Sequence, residues 1–311
     1  MTDKLSTLCD LGELAIVERI RRRLPQGDDV LVGAGDDCAV VRATSDADHD
    51  LLLTSDAVIE GVHFDTGTPF DAVGHKAVGR VLSDIAAMGG QPGWALLNIS
   101  APADMTVGAL DELYAGALAL AGEHDLAVVG GDVAEAPALS VNVFATGSVP
   151  AGKAILRSGA RAGDLIYVTG TLGGSRHGRH LSFEPRVAEG LLLRPFATSM
   201  IDISDGLATD LAHLLRGGNV GARIEAYDVP VSAAAAGRRP FDHAMTDGED
   251  YELLFTIAPV SKDDFLAAWN AGTGTRCTCI GVMNDNKGIA EYVAEDGSPA
   301  SMDDHGFSHF D

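Results

Sequence analysis

Aspartates recur at one kind of place in this sequence: the polar end of an apolar run, or a helical turn flanked by small residues. Asp36-Asp37 stand in VGAGDDCAVV, Asp56 in LLLTSDAVIEGVHF, Asp84 in RVLSDIAAMGG, Asp132 in AVVGGDVAE, and Asp202 with Asp205 in MIDISDGLATDL. A carboxylate beside an apolar run is costly to desolvate without a partner, so each either turns to water or meets a cation. Taken singly, each has a plain structural reading: Asp205 is placed to cap a helix beginning near Gly206, and Asp36 or Asp132 to close a glycine turn. Their recurrence favours the cation, because hard divalent ions take oxygens from several carboxylates and leave other positions to water and substrate phosphates. Thr54 and Ser55 beside Asp56, Ser83 beside Asp84 and Ser204 beside Asp205 add hydroxyl oxygens of the same hard class.

Phosphate chemistry has further signals. Gly130-Gly131, just before Asp132, lets the backbone approach a phosphate closely and donate N–H groups to it. The run GSVPAGKA, Gly147 to Ala154, has P-loop spacing up to Lys153 but is rejected as one. Ala154 stands where magnesium needs a hydroxyl, Pro150 interrupts the run, and no helical pattern follows. Lys153 and Arg157 remain as isolated cations able to reach a phosphate. Cys277-Thr278-Cys279 lacks a second Cys or His pair to complete a tetrahedral site, so the four cysteines read as core thiols.

These residues need two bodies to position them. A chain of 311 residues exceeds what one core usually serves, since cores stop growing near ~250 to 300 residues. Helical periodicity covers residues 11 to 24, stopped by Pro25, then about Ala72 to Met88, ended by Gly89-Gly90, and then 106 to 123. Strands are expected at DVLVGAG, CAVVRAT, HDLLLTSD, WALLNISA, DLAVVGGD and LSVNVFATGSV. Residues 150 to 164, rich in Gly, Ala and basic residues, read as a boundary dividing the chain into domains 1–149 and 150–311. Beyond it come strands at LIYVTGTL, GARIEAYDV, YELLFTIA and TCIGVM, and helices near Val187 to Leu193, from Gly206 to Leu215, and at SKDDFLAAWNA. The final SPASMDDHGFSHFD reads as a tail that orders only by packing on something.

Charge narrows the partners. With 45 acidic residues against 22 basic ones the formal charge is −23, which repels nucleic acid and anionic membranes. A nucleotide is repelled too unless bound cations invert the field where its phosphates sit. No stretch reaches the ~18 consecutive apolar residues of a membrane span, and no secretory signal pattern opens the chain, so the expected location is cytoplasmic.

The ordered blocks GDDCAVV, TSDAVIEGVHF, HKAVGRVLSDIAAMGG, VGGD, RSGARAGDLIYVTGT, IDISDGLATDL and DGEDYELLF resemble the thiamine-monophosphate kinase family from about Gly33 to Thr256. That family lies within a superfamily of ATP-using synthetases making aminoimidazole ribonucleotide or selenophosphate, or maturing hydrogenases. GVHF and DGEDYELLF are the blocks that point to the kinase. The resemblance implies a two-domain mixed α/β subunit: an N-terminal ATP- and metal-binding domain that forms a homodimer, and a C-terminal sandwich-like domain. It implies transfer of the terminal phosphoryl of ATP to thiamine monophosphate, giving thiamine diphosphate. It assigns several magnesium ions to Asp37, Thr54, Ser55, Asp56, Asp84, Asp132, Asp202 and Asp205. Gly131, Asp132, Arg157 and Ser204 are assigned to ATP. His63, Glu249 and Phe307 are assigned to the acceptor, Phe307 as an aromatic wall.

No catalytic base is assigned, because the acceptor is already an anionic phosphate oxygen and catalysis reduces to alignment and charge neutralisation. The sequence departs from the family at Val81, where Asn is usual, at Val133-Ala134 for Thr-Thr, at Asp247 for Gly, and at Asp304 for Trp. These departures are expected to fall on the acceptor pocket. The alternatives are a synthetase of the same superfamily with another acceptor, and a non-catalytic dimer binding nucleotide or divalent cations.

Overall fold

The computed structural model describes residues 13–24, 27–43, 46–235 and 239–300. Pro25, Cys9, Asp304 and Phe307 lie outside the described residues, as does most of the tail.

Helix α1 (Glu13–Arg21) precedes β1 (Val30–Val32), β2 (Ala39–Arg42) and β3 (His49–Ile59). Then come α2 (Phe70–Ala87), β4 (Gln91–Ala101), α3 (Val107–Glu123), β5 (Ala127–Glu135) and β6 (Ser140–Pro150). The strands form a sheet in the order β1-β2-β3-β6-β4-β5, antiparallel except where β4 pairs with β5. β3 and β6 pair along their whole length, from His49 opposite Pro150 to Ile59 opposite Ser140. Alternation along them buries Leu52, Val58, Val141, Val143 and Ala145. The opposed residues Ser55 and Phe144 fall on the other side of the sheet and are exposed.

Helices α2 and α3 cross at a glycine contact. A Cβ on Gly116 would stand 1.9 Å from the Asp71 carbonyl oxygen, and one on Gly74 would stand 2.0 Å from that of Leu113. The pair lets the backbones touch, and Val73, Ala77, Val78, Val81, Leu82 and Ile85 of α2 are fully buried in the core.

Residues 151–164 carry no strand or α-helix and lead to the second sheet. Its strands are β7 (Leu165–Thr169), β8 (Ala197–Ile203), β9 (Gly221–Glu225), β10 (Glu252–Ile257), β11 (Cys277–Asn284) and β12 (Ala290–Val293). Their order is β12-β9-β11-β7-β10-β8. Helices α4 (Val187–Leu193), α5 (Leu207–Gly218), α6 (Pro240–Thr246) and α7 (Lys262–Gly272) complete this half. One core lies under α5 with Leu211, Leu214, Ile201 and Leu254. Another gathers Tyr167, Phe255, Phe265 and Trp269, with Tyr167 and Phe255 stacked at 5.6 Å, and it includes Ala87 at the end of α2. The two halves therefore share apolar contact at that helix end.

β8, α6 and β12 were not among the expected elements. β8 is buried from Ser199 to Ile203, so it shows no polar–apolar alternation, and Asp202 breaks its apolar run. α6 is one short stretch of seven residues, although Pro240 at its first turn is a start signal. α5 is capped by Gly206, at φ 104°, without any side-chain cap. Asp205 is thus not its N-cap; the Asp205 N–H instead donates to Asp210 Oδ2 at 3.1 Å.

Candidate active site

The polar ends of these elements meet between the two sheets. Asp37 comes from the β1–β2 loop, Thr54 and Asp56 from β3, Asp84 from α2 and Asp202 from β8. Carboxylate oxygens of Asp37, Asp84 and Asp202 all lie within 4.8 Å of one another. The Thr54 hydroxyl donates to Asp84 Oδ2, and the Ser83 hydroxyl donates to Asp202 Oδ2 at 2.6 Å, joining α2 to the second sheet.

Burial, reinforced by the charges of Asp56, Asp202 and Asp37, pushes the Asp84 carboxyl well above the usual carboxylate range. Burial and the Asp37 charge raise Asp202 to about 7. Asp37 is raised mainly by burial, against the opposing pull of Arg157. Asp36 rises to about 7, again through burial first and the Asp37 charge second. Carboxylates crowded this closely are held ionised together only by an added cation.

The residues fit a divalent ion on a second ground. Asp37 Oδ2 is shielded from solvent and has no hydrogen-bond partner among the described residues, a buried acceptor beside its neighbours' negative charge. Oxygen-only donors in this number suit magnesium or another hard cation. Arg157 balances the rim, its Nη2 donating to Asp37 Oδ1 at 2.6 Å and its backbone N–H to Asp36 Oδ2 at 3.2 Å.

A small cleft adjoins the cluster. Val62, His63 and Arg80 line it from the first half, and Ser204, Asp205 and Tyr251 from the second. Arg176, Asp247 and Glu249 complete it. The His63 ring is buried and accepts the Ile59 N–H at Nδ1, 3.1 Å away, so Nε2 carries the proton of the neutral ring. Glu249 sits at φ +57°, beside Gly248 at φ +70°, and this left-handed turn is anchored by the Glu249 N–H donating to the Ser204 carbonyl at 2.6 Å. Burial opposes ionisation of Glu249, but His180 and Lys76 outweigh it and hold its carboxyl at about 2. Lys76 is fully buried, and its Nζ donates to the His63 carbonyl at 2.6 Å and to Glu249. Its own pKa falls to about 8 through burial. Tyr251 backs the cleft as part of a stacked pair with Phe183, ring centres 4.0 Å apart.

Other expected residues are placed differently. Ser55 lies on the far face of the sheet from Thr54 and Asp56, so its hydroxyl does not join the cluster. Gly131 and Asp132 lie on β5, the edge strand, exposed and apart from the three clustered carboxylates. Phe307 lies outside the described residues. Of the four departures from the family pattern, Val81 is fully buried in the core and does not line the cleft. The expectation that it alters the acceptor pocket is corrected, because its side chain packs under the sheet. Asp247 does line the cleft; it accepts the Gly174 N–H at 2.8 Å and faces His243 at 3.0 Å, bracing the wall. Val133 and Ala134 are exposed on β5.

Lys76, Arg80, His180 and Arg176 were not singled out from the sequence. Their signal was present for α2: Lys76, Arg80 and Asp84 are spaced i, i+4, i+8, which puts them on one helix face. Arg176 and His180 come from a polar segment without periodicity, and no sequence pattern points to them.

Comparison with known proteins bears on this arrangement. The family model for the AIR synthase related protein, N-terminal domain, matches residues 35–149, and that for the AIR synthase related protein, C-terminal domain, matches 184–294. The thiamine-monophosphate kinase of Escherichia coli (strain K12) is 34% identical, with 96% of this chain and 98% of that protein aligned. That of Rhodopirellula baltica is 38% identical over 90% of this chain and 91% of its own. The solved structure of AaThiL complexed with AMPPCP and TMP superposes with a TM-score of 0.84 at 31% identity, covering 98% of this chain and 99% of that one.

Proposed function

This chain belongs to the thiamine-monophosphate kinase family, and from that premise we propose that it transfers the terminal phosphoryl group of ATP to the phosphate of thiamine monophosphate, yielding thiamine diphosphate and ADP. The observation that carries the proposal is the meeting of Asp37, Asp84 and Asp202, drawn from both halves of the chain, beside a cleft lined from both halves.

We assign the divalent ions to Asp37, Asp56, Asp84 and Asp202, with the Thr54 hydroxyl beside them and Asp205 at the mouth of the cleft. Magnesium there supplies neutralisation of the charge that spreads over the transferring phosphoryl oxygens. The chain's own residues do the rest. Arg157 pins the Asp36-Asp37 loop, Ser83 holds Asp202 from across the domain boundary, and Lys76 keeps Glu249 ionised and oriented. His63 is a contact, not a base, since the attacking phosphate oxygen is already deprotonated. In the transfer, that oxygen forms a bond to the terminal phosphorus as the bond to the bridging oxygen of ADP breaks.

The same proposal includes a homodimer formed through the outer face of the first sheet. Leu96, opposite Phe144, and Trp94, two residues before Leu96 on the same face, are exposed there, Trp94 at 59%. A contiguous apolar sheet face of this kind marks an interaction surface. Gly131 and Asp132 sit on β5 beside it, and in such a dimer they leave open solvent for the setting in which a nucleotide contact is formed.

The test is incubation of the purified chain with ATP, magnesium and thiamine monophosphate. Thiamine diphosphate is expected to accumulate only when all three are present. Folded protein that forms none at any magnesium concentration contradicts the proposal.

A further inference from the structure

We propose that Arg80 receives the phosphate of the acceptor and makes the cleft select a phosphorylated acceptor over the corresponding alcohol; this deepens the kinase reading above and rests on it. Arg80 stands on α2 one turn after Lys76 and one turn before Asp84, so a single helix face carries a cation from the acid cluster to the cleft. Its Nη2 donates to Asp56 Oδ1 at 2.8 Å and its Nη1 to the Ala57 carbonyl at 3.3 Å. A guanidinium carries five N–H donors, so these two bonds leave three uncommitted. Nε is shielded from solvent and has no hydrogen-bond partner among the described residues.

Neighbouring charges leave this residue able to meet a phosphate. Two of the carboxylates that share the cleft are engaged, Glu249 by Lys76 and His180, and Asp247 by His243 and the Gly174 N–H. Lys76 is in turn consumed by Glu249 and the His63 carbonyl. Arg80 therefore faces the cleft as a cation with donors to spare, in the planar fork that suits two phosphate oxygens. It also touches Asp56, at the seam between the cluster and the cleft, and an acceptor phosphate must lie at that seam to align with the transferring group.

Binding of thiamine monophosphate and of thiamine to the whole protein, with magnesium and a non-hydrolysable ATP analogue present, tests this by calorimetry. The wild type is expected to prefer thiamine monophosphate by about 10- to 100-fold, the scale of a charge-assisted pair. Arg80→Gln is expected to lose that preference while its affinity for thiamine stays within about twofold, and Arg80→Lys to regain part of it. In turnover, Arg80→Gln raises KM for thiamine monophosphate and leaves KM for ATP and the magnesium requirement unchanged. Arg80→Gln that keeps the preference overturns the proposal. So does Arg80→Gln that loses both ligands alike or shifts the magnesium requirement, because the arginine then only braces Asp56. A wild type that prefers thiamine monophosphate yet makes no thiamine diphosphate, while Arg80→Gln loses that preference, contradicts the kinase reading and supports the role given to Arg80.

Discussion

Asp84 sits among like charges with, among the described residues, the Thr54 hydroxyl donating to it, which makes it the sharpest probe of the cluster. Asp84→Asn removes one negative charge without changing the shape. Turnover is expected to fall by about a hundredfold or more. The melting temperature in metal-free buffer is expected to stay the same or rise, because repulsion among the remaining carboxylates falls. Marked destabilisation in a thermal melt would mean that the residue is structural. The raised carboxyls also set a pH dependence. Asp36 and Asp202 have folded-state pKa values of about 7, above the unfolded value near 4, so between those limits the unfolded chain releases protons that the folded one keeps. Without metal, stability is thus expected to decline as pH rises from about 4 to about 7 and to level off above, and magnesium is expected to reverse the decline. Denaturant midpoints at pH 5 and 7.5, with chelator and then with magnesium, check this. At this scale the sequence was informative where a carboxylate interrupted an apolar run, as at Asp84 and Asp202. It gave no sign that alternation along β3 turns Ser55 to the opposite face from Thr54.

The element that matters most is α2. Its buried face packs Val73, Ala77, Val81 and Ile85 into the core, while Lys76, Arg80, Ser83 and Asp84 reach the site and the second half of the chain. Helical spacing alone separates the two sets, and HKAVGRVLSDIAA states both in one line of sequence. The depth at which the helix lies is set by its crossing with α3. Gly116→Ala puts a methyl group where the Asp71 carbonyl oxygen stands at 1.9 Å, so the helices must part. A loss of about 2–4 kcal/mol in denaturant unfolding is expected, with lowered turnover because α2 carries site residues. A stability change under about 0.5 kcal/mol would contradict that packing. β8 and α6 escaped the sequence reading for opposite reasons: one is too uniformly buried to alternate, the other too short to show a period.

For the whole molecule, a chain of formal charge −23 must bring two anionic phosphates together. It gathers Arg157, Lys76, Arg80 and Arg176 at the meeting of its two halves, and the carboxylate cluster adds whatever cations it binds. The chain's net charge and block order were readable from the sequence, but the pairing of Ser83 with Asp202, 119 residues apart, required the fold. The exposed sheet face carries its own expectation. Trp94→Asp together with Phe144→Asp should convert a dimer to monomer in sedimentation analysis, and unchanged sedimentation would contradict the proposed interface. The central claim, that oxygens from both halves converge on divalent ions, is tested most directly by crystals grown with manganese and a non-hydrolysable ATP analogue. Anomalous peaks are predicted within about 2.0–2.4 Å of carboxylate oxygens of Asp37, Asp84 and Asp202 together. Peaks confined to the residues of one half, or a cluster that stays empty while nucleotide is bound, would contradict it.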